Sequence, residues 1–176
     1  MEMTAEIEAF FDVLTDGKRG REERTGAAAS LARQVASLWR SLPDGRRSEL
    51  AERLAVLLGN PEEEPGVRTA AAQVLRNAAG ELPPEVHLRL FDVLATTIGD
   101  GASRKLFALM QEACRLVSGL NISACTDDAL MQRLNDAIFE AVLLRGAIED
   151  EAFSDCVDTA FGLTRNHLNK LRGDWS

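Results

Sequence analysis

Five side chains have the chemistry of a nucleophile or a soft-metal ligand: Cys114, Cys125, Cys156, His87 and His167. A catalytic pair sets a thiolate beside an imidazolium, and a structural zinc takes four ligands, two of them commonly at close spacing. Cys156 and His167 stand 11 residues apart in one periodic segment. At about 1.5 Å of rise per residue they lie about 16 Å apart on a continuous helix, so they form no pair within it. No short Cys/His spacing prearranges two zinc ligands, and neither a metal nor another cofactor is expected. The three thiols read as packing residues, since free cysteine is among the most buried residue types. Their odd number and wide spacing suit reduced thiols in a cytoplasm. His87, between Glu85 and Arg89, reads as a surface residue.

Charge narrows the partners. The 176 residues carry 20 Lys/Arg and 28 Asp/Glu, a net charge of −8; residues 1–88 hold 11 against 15 and residues 89–176 hold 9 against 13, so each half comes to −4. A chain acidic along its whole length repels phosphate backbones, and no nucleic-acid grip is expected. Lys18-Arg19-Gly20-Arg21 is neutralised by Glu22 and Glu23 and has no interleaved aromatic. Glu62, Glu63 and Glu64, between Pro61 and Pro65, read as a solvated loop before a helix N-terminus, where the dipole favours negative charge; partner binding is the alternative use. Phe10 and Phe11 read as core, or as a partner-binding edge on a terminal helix covered on one side only. The opening Met-Glu-Met-Thr-Ala-Glu carries acid where a secretory signal carries base, and no apolar run approaches the roughly 18 residues of a bilayer span. The expectation is a cytoplasmic protein, or one delivered without a cleaved signal, that has no membrane contact.

The elements that would position these residues are helical throughout. Thr4 can cap a first helix that runs to about Thr15 and stops at Asp16-Gly17. Lys18 to Gly26 reads as a loop, and Thr25 or a neighbour starts a second helix with Ala28, Leu31, Ala32, Val35, Leu38 and Trp39 at i, i+3, i+4, i+7 spacing. Pro43 ends that helix, and Asp44 caps a third that stops at Gly59. A fourth runs from about Gly66 to Ala79, and a fifth begins at Pro83-Pro84 and is broken by Gly99-Asp100-Gly101. The sixth spans about Ser103 to Ser118, with Leu106, Leu109, Met110, Ala113, Leu116 and Val117 inward. After a connector over Gly119 to Cys125, Thr126 caps a seventh with Leu130, Leu134, Ala137, Ile138, Ala141 and Val142 inward. The eighth spans about Glu149 to Leu171, and Arg172 to Ser176 reads as a flexible tail.

One pattern recurs every 40 residues or so. Phe10-Phe11-Asp12-Val13-Leu14-Thr15, Leu50-Ala51-Glu52-Arg53-Leu54-Ala55, Leu90-Phe91-Asp92-Val93-Leu94-Ala95 and Leu130-Met131-Gln132-Arg133-Leu134-Asn135 are its four copies. The second and third copies align over a whole helix, from Leu42-Pro43 and Leu82-Pro83 to Gly59-Asn60 and Gly99-Asp100. The expected fold is a single all-α domain over residues 1–176, about eight helices in four antiparallel hairpins, either solenoid-like or a compact bundle. In its hydrophobic positions and period the chain resembles the HEAT-type helical repeat, which implies a continuous face of side chains presented to a partner protein.

A second, local resemblance rests on Cys156-Val157-Asp158 followed by Leu163-Thr164-Arg165-Asn166-His167-Leu168-Asn169-Lys170. It is similar to the Cys-x-Asp segment of the novel E3 ubiquitin ligase family of bacterial effectors, and covers about a tenth of the chain. The resemblance implies Cys156 as a thioester-forming nucleophile and Asp158 as the residue supporting transfer. In an ordinary helix positions i and i+2 point to different faces, so this pair needs an interrupted helix. Three functional expectations follow. The first is a non-enzymatic binding module of bacterial or phage character, acting as an effector, immunity or inhibitor protein on another, unidentified protein. The alternatives are a cysteine-dependent ligase-like enzyme and a self-assembling structural protein, since uncovered repeat ends can pair as homo-oligomers.

Overall fold

Alanine, leucine and arginine favour helix, and the prolines and most glycines fall where helices start or stop. A computed structural model describes residues 2–173 and, apart from 2–4 and 36, their side chains. Eight α-helices stand among them: α1 Glu2–Thr15, α2 Arg21–Trp39, α3 Asp44–Gly59, α4 Pro65–Ala78, α5 Pro84–Arg104, α6 Phe107–Gly119, α7 Asp128–Leu144 and α8 Glu151–Arg172. Three single 3-10 turns, Ala79–Glu81, Ile122–Ala124 and Arg145–Ala147, link helices, and no strand occurs among the described residues. Each odd helix pairs with the even helix that follows it, giving four hairpins. The odd helices form one layer, α1 touching α3 lightly, α3 against α5 and α5 against α7; α2, α4, α6 and α8 line up as the second layer.

The recurring pattern sets the inward register of the odd layer. Phe11, Ala51, Phe91 and Met131 are wholly buried, as are Leu14, Leu54, Leu94 and Leu134 three positions on. Between these buried positions, or just ahead of them at Arg89, stand the charges that join consecutive odd helices on the outside. Arg53 donates to Asp12 at 3.2 Å, Arg89 to Glu52 at 3.2 Å and Arg133 to Asp92 at 3.0 Å. The even layer approaches closely because α4 buries Ala70, Ala71, Ala72 and Ala78, which let α2 and α6 come near on either side. Asn77 Nδ2 reaches the Ala32 carbonyl across that contact at 2.9 Å.

Two buried arginines bind the layers and hairpins together. Arg24 on α2 donates from Nε to the Leu14 carbonyl in the last turn of α1 (2.9 Å) and, with both terminal nitrogens, to the Glu63 carboxylate (2.8 Å each). Arg68 on α4 repeats the arrangement: Nε donates to Leu58 in the last turn of α3 at 2.9 Å, and Nη1 to Asp100 on α5 at 2.5 Å. In each case the arginine satisfies a carbonyl that its own hairpin leaves without an intrahelical partner and then neutralises an acid of the next hairpin.

This device overturns several boundaries expected from the sequence. The segment Lys18 to Gly26 is a loop only as far as Gly20; α2 starts at Arg21, since burying Arg24 requires its backbone to be helical already. Thr25 does not start the helix, and its hydroxyl donates back to the Arg21 carbonyl at 2.9 Å. Likewise α5 is not broken at Gly99-Asp100-Gly101 but runs to Arg104, because Asp100 must face Arg68 and Gly101 must lie flush with α6. A Cβ on Gly101 would sit 2.8 Å from Met110 Cγ. The helix stops instead at Lys105, the one described non-glycine residue with positive φ (56°), so α6 begins at Phe107 rather than Ser103 and Leu106 falls in the connection.

Caps are displaced by a residue or more. Pro43 precedes α3 and Asp44 is its first residue; Asp127, not Thr126, caps α7 by accepting from the Leu130 N–H at 3.1 Å; Asp150 caps α8 through Phe153 N–H at 3.0 Å. α1 already includes Glu2, ahead of Thr4. Arg172, expected in a flexible tail, ends α8 and pairs with Asp128 at 3.1 Å, with Gly173 in the left-handed conformation after it; the rest of that tail, 174–176, lies outside the described residues.

Removing one partner of a buried ion pair leaves the other charge uncompensated, at a cost of about 3 to 5 kcal/mol. Arg68→Ala is therefore expected to lower unfolding free energy by about that amount, whereas Arg40→Ala, at an exposed pair with Glu81, is expected to cost under about 1 kcal/mol. Urea unfolding of both variants checks this, with equal losses counting against the buried-arginine account.

Candidate functional site

The residues with nucleophilic character sit where the α8 stripe meets its neighbours. Phe153, Val157, Ala160, Thr164 and Leu168 bury the inner face of α8, and Thr164 anchors it to α7 by accepting from Asn135 Nδ2 at 2.8 Å. Cys156 precedes Val157 and so lies at the edge of that stripe, half-buried, on the side facing α6. There Arg115 Nε donates to its Sγ at 3.3 Å. Arg115 Nη1 also donates to the buried Glu112 at 2.9 Å, and Arg76 from α4 stands 3.4 Å from the other oxygen of that carboxylate. Arg76, Arg115, Ser118, Asp155, Cys156 and Thr159 line an open groove of about 360 Å³.

This arrangement supplies a thiol and positive charge but no proton acceptor among the groups that touch Sγ. A guanidinium stays protonated and cannot serve as general base. Asp158 lies two residues along an unbroken helix, exposed, and forms an ion pair with Arg145 in the turn after α7. The structure therefore does not bring Cys156 and Asp158 together. His167 is engaged elsewhere: its Nε2 donates to the Cys125 carbonyl at 2.7 Å, holding α8 to the connector before α7. Cys114 and Cys125 are buried, and burial pushes the Cys114 thiol up to about 12 and raises that of Cys125. Among the described residues no group of three or more His, Cys, Asp or Glu is placed to hold a metal ion.

His87 is not a surface residue. It is 7% exposed in the first turn of α5, where Nε2 donates to the Leu82 carbonyl at 3.2 Å and Nδ1 accepts the Asn121 N–H at 2.9 Å. Both ring nitrogens are used by the neutral imidazole, and burial lowers its pKa from 6.5. It joins the α4–α5 turn to the α6–α7 connector and is structural.

The three glutamates have separate fates. Glu63 is taken up by Arg24, whose bidentate contact holds its carboxyl below the usual range. Glu64 precedes α4 and lies 3.4 Å from Arg21, and Glu62 is exposed. Of the two phenylalanines, Phe11 is fully buried against Trp39, with ring centroids 6.3 Å apart and the Arg53 guanidinium 5.6 Å from its ring, and Phe10 is half-buried.

A feature with no motif in the sequence lies on the odd layer. Thr15, Glu49, Glu52, Arg53, Val56 and Leu57 line a groove of about 450 Å³ where α1 stands off from α3. Val56, at 57% exposure, also belongs to a second groove of about 290 Å³ with Gly59, Arg89, Asp92, Val93 and Thr96, between α3 and α5. The two meet at Val56, crossing α1, α3 and α5.

Two outcomes are expected. In native protein Cys156 is alkylated first, while Cys114 and Cys125 react only as the chain unfolds; mass mapping of the labelled peptides reads the order, and labelling of Cys114 ahead of Cys156 would contradict this placement. For His87 the folded pKa lies below the unfolded value, so the unfolded chain binds the proton first as the pH falls. Its contribution is complete above 6.5 and is lost from there down to the folded pKa. His87→Gln should flatten the decline of the urea midpoint over that window, and an unchanged slope would remove His87 as its source.

Compared with known proteins, the sequence matches no protein-family model and no curated protein.

Proposed function

We propose that this chain is a non-enzymatic, HEAT-like helical-repeat module that binds another protein across its odd-numbered helices. The observation that carries this reading is the joined groove at Val56. An exposed branched apolar side chain there sits between charged walls supplied by Glu49, Glu52, Arg53, Arg89 and Asp92. Apolar centres with polar rims are the usual anatomy of a protein contact. The four-hairpin order supports the repeat reading, and so does the recurrence of one arginine device at Arg24 and Arg68. The thiol groove supports catalysis less well, since the group bonded to Sγ is the Arg115 guanidinium, which cannot accept its proton.

The test is quantitative capture on full-length protein, comparing wild type with Val56→Arg and Cys156→Ser. Val56 is more than half exposed, so its substitution spares the core. A genuine partner is expected to be depleted about tenfold or more by Val56→Arg, as for a central interface residue, and to be retained by Cys156→Ser. A partner lost with Cys156→Ser and kept with Val56→Arg overturns the reading in favour of thiol chemistry.

A further inference from the structure

The chain has two histidines, and both hold the connector between α6 and α7. His87 of α5 accepts the Asn121 N–H on Nδ1 at 2.9 Å near the start of the connector, and His167 of α8 donates from Nε2 to the Cys125 carbonyl at 2.7 Å near its end. The two ends answer a proton differently. A ring nitrogen that accepts must be bare, so a proton on His87 Nδ1 sets two donors against each other and removes the bond to Asn121. His167 Nε2 donates already, and does so in the neutral and the charged ring alike, so the bond to Cys125 survives. The charged His87 ring also keeps its bond to the Leu82 carbonyl and has that of Ala79 nearby, which leaves it with the turn before α5.

Space for a change already exists beside the ring. A cavity of about 390 Å³ separates Ala79, Gly80 and Leu82 from Leu120, Asn121 and Ala124, and no charged side chain lines it. The surrounding elements bring no acid to the ring that would hold an imidazolium in place. Glu81 is taken by Arg40 at 2.6 Å and Arg47 at 4.0 Å, and Glu85 and Arg89 are exposed on α5 itself. Asp127 caps α7, Asp128 pairs with Arg172, and α6 carries no titratable group beyond Arg115. His167 and the buried Cys125 stand at the other end of the connector. None of these charges contributes to the titration of His87, which burial lowers from 6.5 against the pull of the Leu82 and Ala79 carbonyls. The flanking helices do not depend on the connector either, since α6 packs on α4, α5 and α8, and α7 packs on α5 and α8.

We infer that His87 is a proton-operated latch: in acid its ring lets go of Asn121, the connector swings out about its Cys125 end, and the cavity opens to solvent while the helices stay packed. Local opening of this kind takes place well short of global unfolding. The joint is separate from the Val56 groove, so neither reading depends on the other.

Amide hydrogen exchange of the full chain, followed by NMR on both sides of pH 6.5 and expressed as protection relative to the unstructured rate at each pH, tests this. Protection of the Asn121 amide should hold above 6.5 and fall below it by about tenfold per pH unit, the slope of one linked proton, until the folded pKa is passed. Val117 of α6 and Leu134 of α7 should keep their protection, and Cys125 should lose less than Asn121. The ring nitrogen shifts of His87 should report the Nε2–H tautomer above 6.5 and titrate in step with Asn121, a reading on the wild type that does not depend on any variant folding. In His87→Gln the pH dependence at Asn121 should vanish, and in His167→Gln it should persist. Five results would overturn the inference: protection at Asn121 that is flat across the window; a fall shared by Val117 and Leu134, which is global unfolding; equal loss at Asn121 and Cys125; a fall out of step with the His87 ring; or a pH dependence that survives His87→Gln.

Discussion

A guanidinium has no place in an apolar interior unless its charge is answered, and this stack is arranged around two such answers. Arg68 is fully buried and Arg24 nearly so. Isolated, either charge would be far too costly to bury. Each becomes tolerable because Nε takes a carbonyl at the end of an odd helix while a carboxylate of the following hairpin takes both terminal nitrogens of Arg24 and Nη1 of Arg68. The contact is local and long-range at once: it ends one hairpin and positions the next. Side chains of Leu or Met would fill similar volume but would not specify which acid lies opposite. The ladder thus fixes the order of the first three hairpins more sharply than apolar packing does alone.

From α5 onward the stack is held differently. α5 and α7 lie closely side by side, Gly101 lets α6 approach α5 without a Cβ between them, and Asn135 and Thr164 join α7 to α8 by a neutral buried hydrogen bond. His87 contributes a further neutral link by using both ring nitrogens. The first half therefore depends on charge and the second on close approach. Acid weakens both halves, through protonation of Glu63 below its ordinary range and of His87 from a higher pH, so the two halves respond in different windows.

Much of this fold was legible in the sequence because hydrophobic period and helix number depend on which residues are apolar. The burial of Leu14, Leu54, Leu94 and Leu134 follows from the pattern directly. What was not legible depends on arginines that read as solvent-exposed wherever they occur. Arg24 sits among Arg21, Glu22, Glu23 and Gly26, a composition that says loop, and only its partners, one of them in another hairpin, make it core. Gly99-Asp100-Gly101 reads as a break for a similar reason, since Met110 and Arg68 act on it through space rather than along the chain. A usable signal existed for the thiol groove. Arg115 and Cys156 are 41 residues apart, the separation that also brings Arg53 to Asp12 and Arg133 to Asp92. Applied to the even helices, the same period sets Arg115 beside Cys156. No motif marks Val56, because its exposure depends on how far α1 stands from α3.

The same charge chemistry crosses that stand-off. Where α1 meets α3, the bridging groups are Glu8 with Arg46 and Asp12 with Arg53, long side chains that reach across a gap. Short apolar side chains at those positions would draw the helices together and close the space. At the α5–α7 contact, where the helices lie close, a single ion pair crosses among the described residues, that of Arg133 and Asp92. The groove at Val56 thus has ion pairs at its rim, with Glu8–Arg46 added to the pair that recurs at the closer α5–α7 contact. Arg53 serves both ends of this arrangement, pairing with Asp12 outside and covering the Phe11 ring inside, so that the wall of the groove and the packing of the first hairpin are set by one side chain.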